Sequence, residues 1–306
     1  MARYLALGKQ SSWNTAATSF KYVDPLSISI SPERDIVQLR PVSSRFATAF
    51  YPGGWKVTGD IEFPCNPQTI GDALLMIFGQ VSSQSQGTGA YKHTFTPIDV
   101  DSAPPVYTLE IASGSVYRQI LNVAATSLEI EFPPNEIVST TLSILGTKEQ
   151  AGSSRTPAFP SVRDFTGADA AIKINNNTRK LRALSLTINA NLSDDHYVLG
   201  SRYLPRHILG EFEVTGSMDI EFEEESYLDE FLAESEASFE ITLTGPEIES
   251  GVNYQLKLTM PKVIYETWEA EVSHAEPIVQ SIDFVARKDG SKPVITAELI
   301  NTITSY

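Results

Sequence analysis

Two segments of this chain repeat each other closely enough to restrict its fold. Val57-Thr-Gly-Asp-Ile-Glu-Phe63 and Val214-Thr-Gly-Ser-Met-Asp-Ile-Glu-Phe222 share Val-Thr-Gly and Asp-Ile-Glu-Phe, and their glycines lie 157 residues apart. Both alternate apolar with polar residues, the period of a strand with one buried face. Each segment is preceded by a second alternating run, Leu26-Ser-Ile-Ser-Ile-Ser31 and Leu184-Ser-Leu-Thr-Ile-Asn189, offset by 158. Each is followed by a short helical pattern, Pro67 to Phe78 and Ser226 to Ala233, with Asn66 and Glu225 or Ser226 where capping and acidic residues favour a helix start. Later come Ser127-Leu-Glu-Ile-Glu-Phe132 against Gln280-Ser-Ile-Asp-Phe284, offset by 152, then apolar-rich strands at Ile137 to Leu145 and Val294 to Ile303.

A repeat of this period reads as one supersecondary unit written twice. The expected organisation is mainly β, with sandwich- or barrel-forming domains each carrying one short helix. An N-terminal arm occupies residues 1–25, a first domain 26–146, a linker 147–180 and a second domain 181–306. The linker is marked by Gly152, Ser153, Ser154, Pro157, Pro160 and Asn175-Asn-Asn177. Both units carry a long insertion between their first two strands, Pro32 to Trp55 and Leu192 to Gly210.

The 306 residues exceed what one hydrophobic core usually supports, which agrees with two units. A net charge of -15 repels phosphate and anionic lipid, so gripping nucleic acid is not expected. The single cysteine, Cys65, excludes an intramolecular disulfide and a multi-cysteine zinc site. No run approaches the ~20 apolar residues that span a bilayer, and the apolar start is too short for a signal peptide, so membrane insertion is not expected.

No motif supports an enzyme, and no cofactor or metal is expected. The carboxylates of Asp219 to Glu236 lack calcium-loop spacing and read as solvated surface. Asp194-Asp195-His196 has no histidine partner at ligand spacing, Ser113-Gly-Ser115 is not a nucleophile elbow, and Gly87-Thr-Gly89 is not followed by a helix that could hold phosphate. No spacing singles out a pair of carboxylates for glycoside hydrolysis.

The order of strand, long loop, strand, helix and strands in each half resembles the tail tube proteins of long-tailed bacteriophages, in the form with two tandem tube domains per chain. The phrases Ile120-Leu-Asn-Val-Ala-Ala-Thr-Ser-Leu-Glu-Ile-Glu-Phe-Pro-Pro-Asn-Glu-Ile-Val138, Leu258-Thr-Met-Pro-Lys-Val-Ile264 and Ile278-Val-Gln-Ser-Ile-Asp-Phe284 carry the likeness. The resemblance implies a structural virion protein, made in the host cytoplasm. Its domains share an inner β-barrel, with three chains forming each pseudo-hexameric ring and rings stacking into a tube for DNA ejection. It also implies as partners other copies of the chain, a tape measure protein and tail-end proteins, with DNA passing through without specific binding. Whether such a tail contracts is left open. A β-sandwich adhesin or carbohydrate-binding protein, using Trp13, Trp55 and Trp268, is the alternative.

On that resemblance, the polar strand faces line the lumen, placing Asp60, Glu62, Glu129, Glu131, Glu213, Asp219, Glu221 and Asp283 toward the channel. Their apolar counterparts, such as Ile61, Ile130, Ile188, Ile220 and Phe222, then pack against the helices. The inserted loops hold Arg34, Arg40, Arg45, Tyr51 and Trp55, then Arg202, Tyr203 and Arg206, the arginine and aromatic types that interfaces enrich. Two roles stay open for them, bridging one ring to the next or folding over their own domain.

Overall fold

A computed structural model describes residues 2–87, 89–221, 232–233, 235–271 and 278–306. In chain order the strands are β1 (Ala2–Lys9), β2 (Lys21–Val23), β3 (Ser27–Leu39) and β4 (Ala49–Pro64), followed by helix α1 (Ile70–Phe78). The first half continues with β5 (Gly79–Ser85), β6 (Tyr91–Pro97), β7 (Tyr107–Gly114), β8 (Val116–Phe132), β9 (Ser139–Gly146) and β10 (Lys148–Ala151). The second half holds β11 (Ala170–Ile174), β12 (Asn177–Arg179), β13 (Leu181–Asn189), β14 (Glu213–Glu221), β15 (Ala237–Glu249), β16 (Val252–Tyr265), β17 (Glu269–Glu271), β18 (Val279–Arg287) and β19 (Thr296–Asn301). The chain is mainly β, as expected. The helical pattern at Ser226 to Ala233, and Phe222 before it, lie almost wholly outside the described residues.

Helix α1 starts at Ile70, three residues later than the pattern suggested, because Asn66 first makes a turn. Its Oδ1 accepts the Gln68 N–H at 2.9 Å, and its carbonyl accepts the Ile70 N–H at 3.0 Å. Gly79 ends the helix with φ 85°, its N–H donating to the Leu75 carbonyl. All nine helical residues are buried.

An inner sheet runs without a break through both halves. Its strand order is β3, β4, β9, the C-terminal part of β8, β13, β14, β18 and β17, all antiparallel. The central seam joins the halves, with Ser127 to Phe132 of β8 paired to Leu184 to Asn189 of β13. Outer layers cover its apolar face. In the first half these are β2, β1, β7, the N-terminal part of β8 and β10. In the second half they are β12, β11, β15, β16 and β19, extended by the first-half hairpin β5–β6 through β19. One contiguous buried cluster includes Leu128, Ile130 and Phe132 with Leu184, Leu186 and Ile188, so the core crosses the seam.

Pairing partners correct several correspondences drawn from sequence alone. Ile30 and Leu186 each lie opposite a strand glycine, Gly59 and Gly216, so β3 and β13 correspond two residues away from the sequence match of Leu26 with Leu184. An even slip preserves the buried face, which is why alternation could not reveal it. Gln280 to Phe284 corresponds to β9 rather than to Ser127–Phe132, since both strands pair with the glycine strand, Gly59 opposite Ile144 and Gly216 opposite Phe284. The true counterpart of Leu128-Glu-Ile-Glu131 is Trp268-Glu-Ala-Glu271, with Glu129 opposite Thr141 and Glu269 opposite Ser281. The last strand, β19, matches β10, each pairing with the long strand that crosses from outer to inner sheet.

The expected arm contains β1, paired along its whole length with β7, and the expected linker contains β10, β11 and β12. Turn-rich composition around short strands concealed them. The Pro32 to Trp55 insertion is not an irregular loop. Strands β3 and β4 continue through it as a hairpin arm with its tip at residues 40–48, tolerating Pro32 on the edge strand and Pro52 at a register shift.

Candidate functional site

The two repeated glycines bring the inner strands unusually close. A Cβ on Gly59 would lie 2.1 Å from the Ser29 carbonyl oxygen, and one on Gly216 would lie 2.5 Å from the equivalent oxygen of Ser185. The same crowding occurs in both halves, which explains the sharpest match in the sequence.

With the apolar side of the inner sheet buried, its other side gathers short polar and acidic residues from every strand. Rows across it read Ser27, Glu62, Thr141, Glu129, Thr187 and Thr215, then Ser139, Glu131, Ser185, Ser217 and Asp283. Asp219 lies opposite Ser281, and Glu213 and Glu221 stand at opposite ends of β14. Thus Asp60, Glu62, Glu129, Glu131, Glu213, Asp219, Glu221 and Asp283 all occur on one face, and each is half-buried or exposed. Hydroxyls separate the carboxylates and donate to them: Ser27 to Glu62 at 3.0 Å, Ser143 to Asp60 at 2.7 Å, Ser281 to Asp219 at 2.6 Å and Thr267 to Asp283 at 2.7 Å. Basic groups stand at the margins. Arg182 pairs with Glu221 at 3.4 Å, Lys56 with Glu33 and Asp194, and Arg287 closes β18. Glu269 also belongs to this face, opposite Ser281 as Glu129 is opposite Thr141, although alternation alone points to Gln280–Phe284 as the counterpart of Ser127–Phe132. The period-two signal was present in Trp268-Glu-Ala-Glu271 but spanned too few residues to read as a strand.

The stacking candidates divide between two settings. Arg34, Arg40, Arg45 and Tyr51 lie exposed on the hairpin arm. So do Ile36, Val37, Leu39, Val42, Phe46 and Phe50, each at least half exposed. A two-stranded arm with this much uncovered apolar surface is marginal by itself.

Trp55, Arg202 and Tyr203 instead meet at the base of the arm, where the Trp55 N–H donates to the Arg202 carbonyl at 2.8 Å and Trp55 bridges Tyr203. The second insertion, Leu192 to Gly210, therefore folds over the first half of its own chain, although Arg202, Tyr203 and Arg206 keep exposed side chains. Lys56 bonds Asp194, an ion pair that holds the lysine pKa up and the Asp194 carboxyl down.

His207 anchors that insertion. Its Nε2–H donates to the Asn122 carbonyl at 2.6 Å, and Trp13 meets its ring edge-on. Burial pushes its pKa down to about 4. Because the folded-state value lies below the unfolded one near 6.5, the contribution of neutral His207 is fully present above pH 6.5. It is lost as pH falls toward 4, and the pKa gap corresponds to about 3 kcal/mol. Stability measured by denaturant titration is expected to fall between pH 6.5 and 4, and His207→Gln to flatten that dependence.

No group of three or more potential metal ligands occurs among the described residues, and Cys65 is buried with its thiol pushed up to about 12 by desolvation. Among the described residues no helix is long and apolar enough to cross a membrane. The most extended feature among the described residues is a broad acidic and hydroxylic sheet face beside a projecting hairpin. A search of curated proteins finds no match. Residues 2–286 match the family model described as phage tail tube protein, and the chain belongs to that family, a structural component that self-assembles into the tube of the virion tail.

Proposed function

We propose that three copies join head to tail into a pseudo-hexameric ring, that rings stack through the hairpin arms, and that the acidic face lines a conduit for DNA ejection. The observation that carries this reading is the inner sheet, eight strands wide and open at both edges among the described residues, with its polar face uncovered. Open edges favour addition of further strands, and a closed barrel removes them. Twenty-four strands at their usual spacing and tilt give a backbone diameter of roughly 45–50 Å, which leaves an open lumen. Carboxylates separated by hydroxyls offer phosphate no counterion release to exploit, so DNA slides without being held. The two halves are proposed to derive from one duplicated unit, since they repeat the same strand order and partners. A tape measure protein inside the lumen and tail-end proteins at its termini complete the proposed partners.

Negative-stain microscopy of concentrated protein tests this reading, with hollow tubes or three-chain rings expected; a dispersed monomer that binds glycans would overturn it. Within the same assay, Phe46→Ser with Phe50→Ser and Tyr51→Ser is expected to leave rings intact and to prevent their stacking. Three exposed aromatic anchors are removed, of the kind that each contribute about 1–2 kcal/mol or more at an interface. Tubes of normal length from this triple variant would take the arm out of the ring-to-ring contact.

A further inference from the structure

The seam inside the chain is a physical template for the contact between chains. Strand β13 pairs on one side with β14 and on the other with β8. Its structural counterpart β3 pairs only with β4, and β17, the counterpart of the end of β8, pairs only with β18, among the described residues. Exposure follows the missing neighbour. Leu186 and Ile188 are fully buried, whereas Pro32, at the place of Ile188, is exposed and Ile30, at the place of Leu186, is 9% exposed.

A groove of about 640 Å³ lies beside the free edge, lined by Tyr4, Leu26, Ser27, Ile28, Ala112 and Ser113 among others. Beside β13 the equivalent groove measures about 300 Å³ and has Phe132, Pro133 and Pro134 of the first half in its wall. The same concavity is thus narrower where a strand of the other half continues along it.

We infer that β17 of one copy adds antiparallel to β3 of a second copy in the register of the internal seam, with Ser31 opposite Glu269, Ile30 opposite Ala270 and Ser29 opposite Glu271. This inference rests on the head-to-tail ring proposed above and specifies its contact. The register follows from position. Thr187 pairs with Glu129 across the internal seam, Ser31 holds the place of Thr187, and Glu269 holds the place of Glu129. Hydroxyl then again stands beside carboxylate on the polar face, so the rows of acids and hydroxyls continue from chain to chain.

One group opposes this addition. Arg118, held by Glu149 at 2.6 and 2.9 Å, reaches the Ile30 carbonyl oxygen at 3.3 and 3.4 Å. These are long, weak contacts, and an incoming Ala270 N–H displaces them. A positive charge beside an unpaired edge also discourages indiscriminate strand addition by other chains.

The seam's bonding pattern selects the test. The Ala190 N–H donates to the Thr126 carbonyl at 2.8 Å, so even-numbered β13 residues make hydrogen-bonded pairs with β8, and Thr187 with Glu129 is a non-hydrogen-bonded pair. Such pairs bring Cα atoms to about 4.5 Å, within reach of a disulfide. Ser31 and Glu269 are both exposed on the polar face, so cysteines there leave the core untouched.

Under mild oxidation of assembled tubes, Ser31→Cys with Glu269→Cys is expected to convert most chains to a covalently closed trimer on non-reducing gels. Either single variant stays monomeric on the gel, and so do the register-shifted pairs Ser29→Cys with Glu269→Cys and Glu33→Cys with Glu269→Cys. Tubes or rings that form normally but cross-link only through a shifted pair, or through none, overturn the register while leaving the ring intact. Failure to form any ring overturns both the ring and this contact.

Discussion

Gly216→Val is expected to yield little or no soluble folded subunit, and Gly59→Val to behave in the same way. The added Cβ at Gly216 would stand 2.4 Å from Cζ of Phe284 as well as 2.5 Å from the Ser185 carbonyl oxygen. At Gly59 it would stand 2.1 Å from the Ser29 oxygen and 2.6 Å from the Ile30 Cα. A side chain can rotate away from an intruder, but a ladder oxygen cannot move without separating the strands.

Overpacking a core usually costs about 1–3 kcal/mol, and the strand separation forced here adds lost cross-strand pairs on either side, giving an expected total above about 3 kcal/mol. That is a large share of the stability of most domains. Soluble yield and thermal unfolding report the loss. Gly89→Ala, where the new Cβ meets nothing within 4 Å, is the control and leaves both near the parent values. A Gly216→Val protein with parental stability would mean that the two inner strands are not held at this separation.

Replacing Glu129, Glu131, Asp219 and Glu221 with lysine is expected to spare assembly and to change how the tube treats DNA. The four positions lie on the polar face of β8 and β14, away from the buried cluster. The hydrogen bonds lost there, such as Ser281 to Asp219 and Ser139 to Glu131, are exposed and worth about 1 kcal/mol or less each. Electrostatics changes far more. Each substitution shifts the charge by two, and every lysine that neutralises a phosphate releases counterions, steepening the salt dependence of binding by roughly 0.9 in the log–log slope. Variant tubes should retain DNA at low salt and release it as salt rises, while parent tubes bind none. Genome delivery by virions carrying the variant should slow by an order of magnitude or more. Parental delivery together with no DNA retention would place this face outside the channel.

Part of this arrangement could be read directly from residue order. Alternation in Leu184 to Asn189 and in the two Val-Thr-Gly segments assigned both strands and buried faces correctly, because the side-chain period of a strand is independent of its partners. The acids expected on one polar surface do lie on one face for the same reason. Identifying equivalent strands was beyond that signal. Gln280 to Phe284 and Ser127 to Phe132 share alternation and a terminal phenylalanine, yet one pairs with the glycine strand and the other lies at the seam. Only hydrogen-bond partners separate them, and partners lie far apart in sequence. The hairpin arm looks like a loop in sequence, where Pro32 and Pro52 interrupt the strand pattern, although an edge strand and a register shift accommodate both.

The sequence alone determined that the chain is mainly β, that the Val-Thr-Gly and Asp-Ile-Glu-Phe phrases occur twice, and that an acidic, hydroxyl-rich set of residues faces away from an apolar set. These are local properties, set by backbone period and side-chain solvation. Tertiary structure decided that the two halves share one sheet and one core, that the second insertion folds onto the first half while the first projects freely, and that Glu269 belongs with Glu129. Those outcomes depend on which strand edges meet, and an edge's choice of partner is made by packing across the whole molecule.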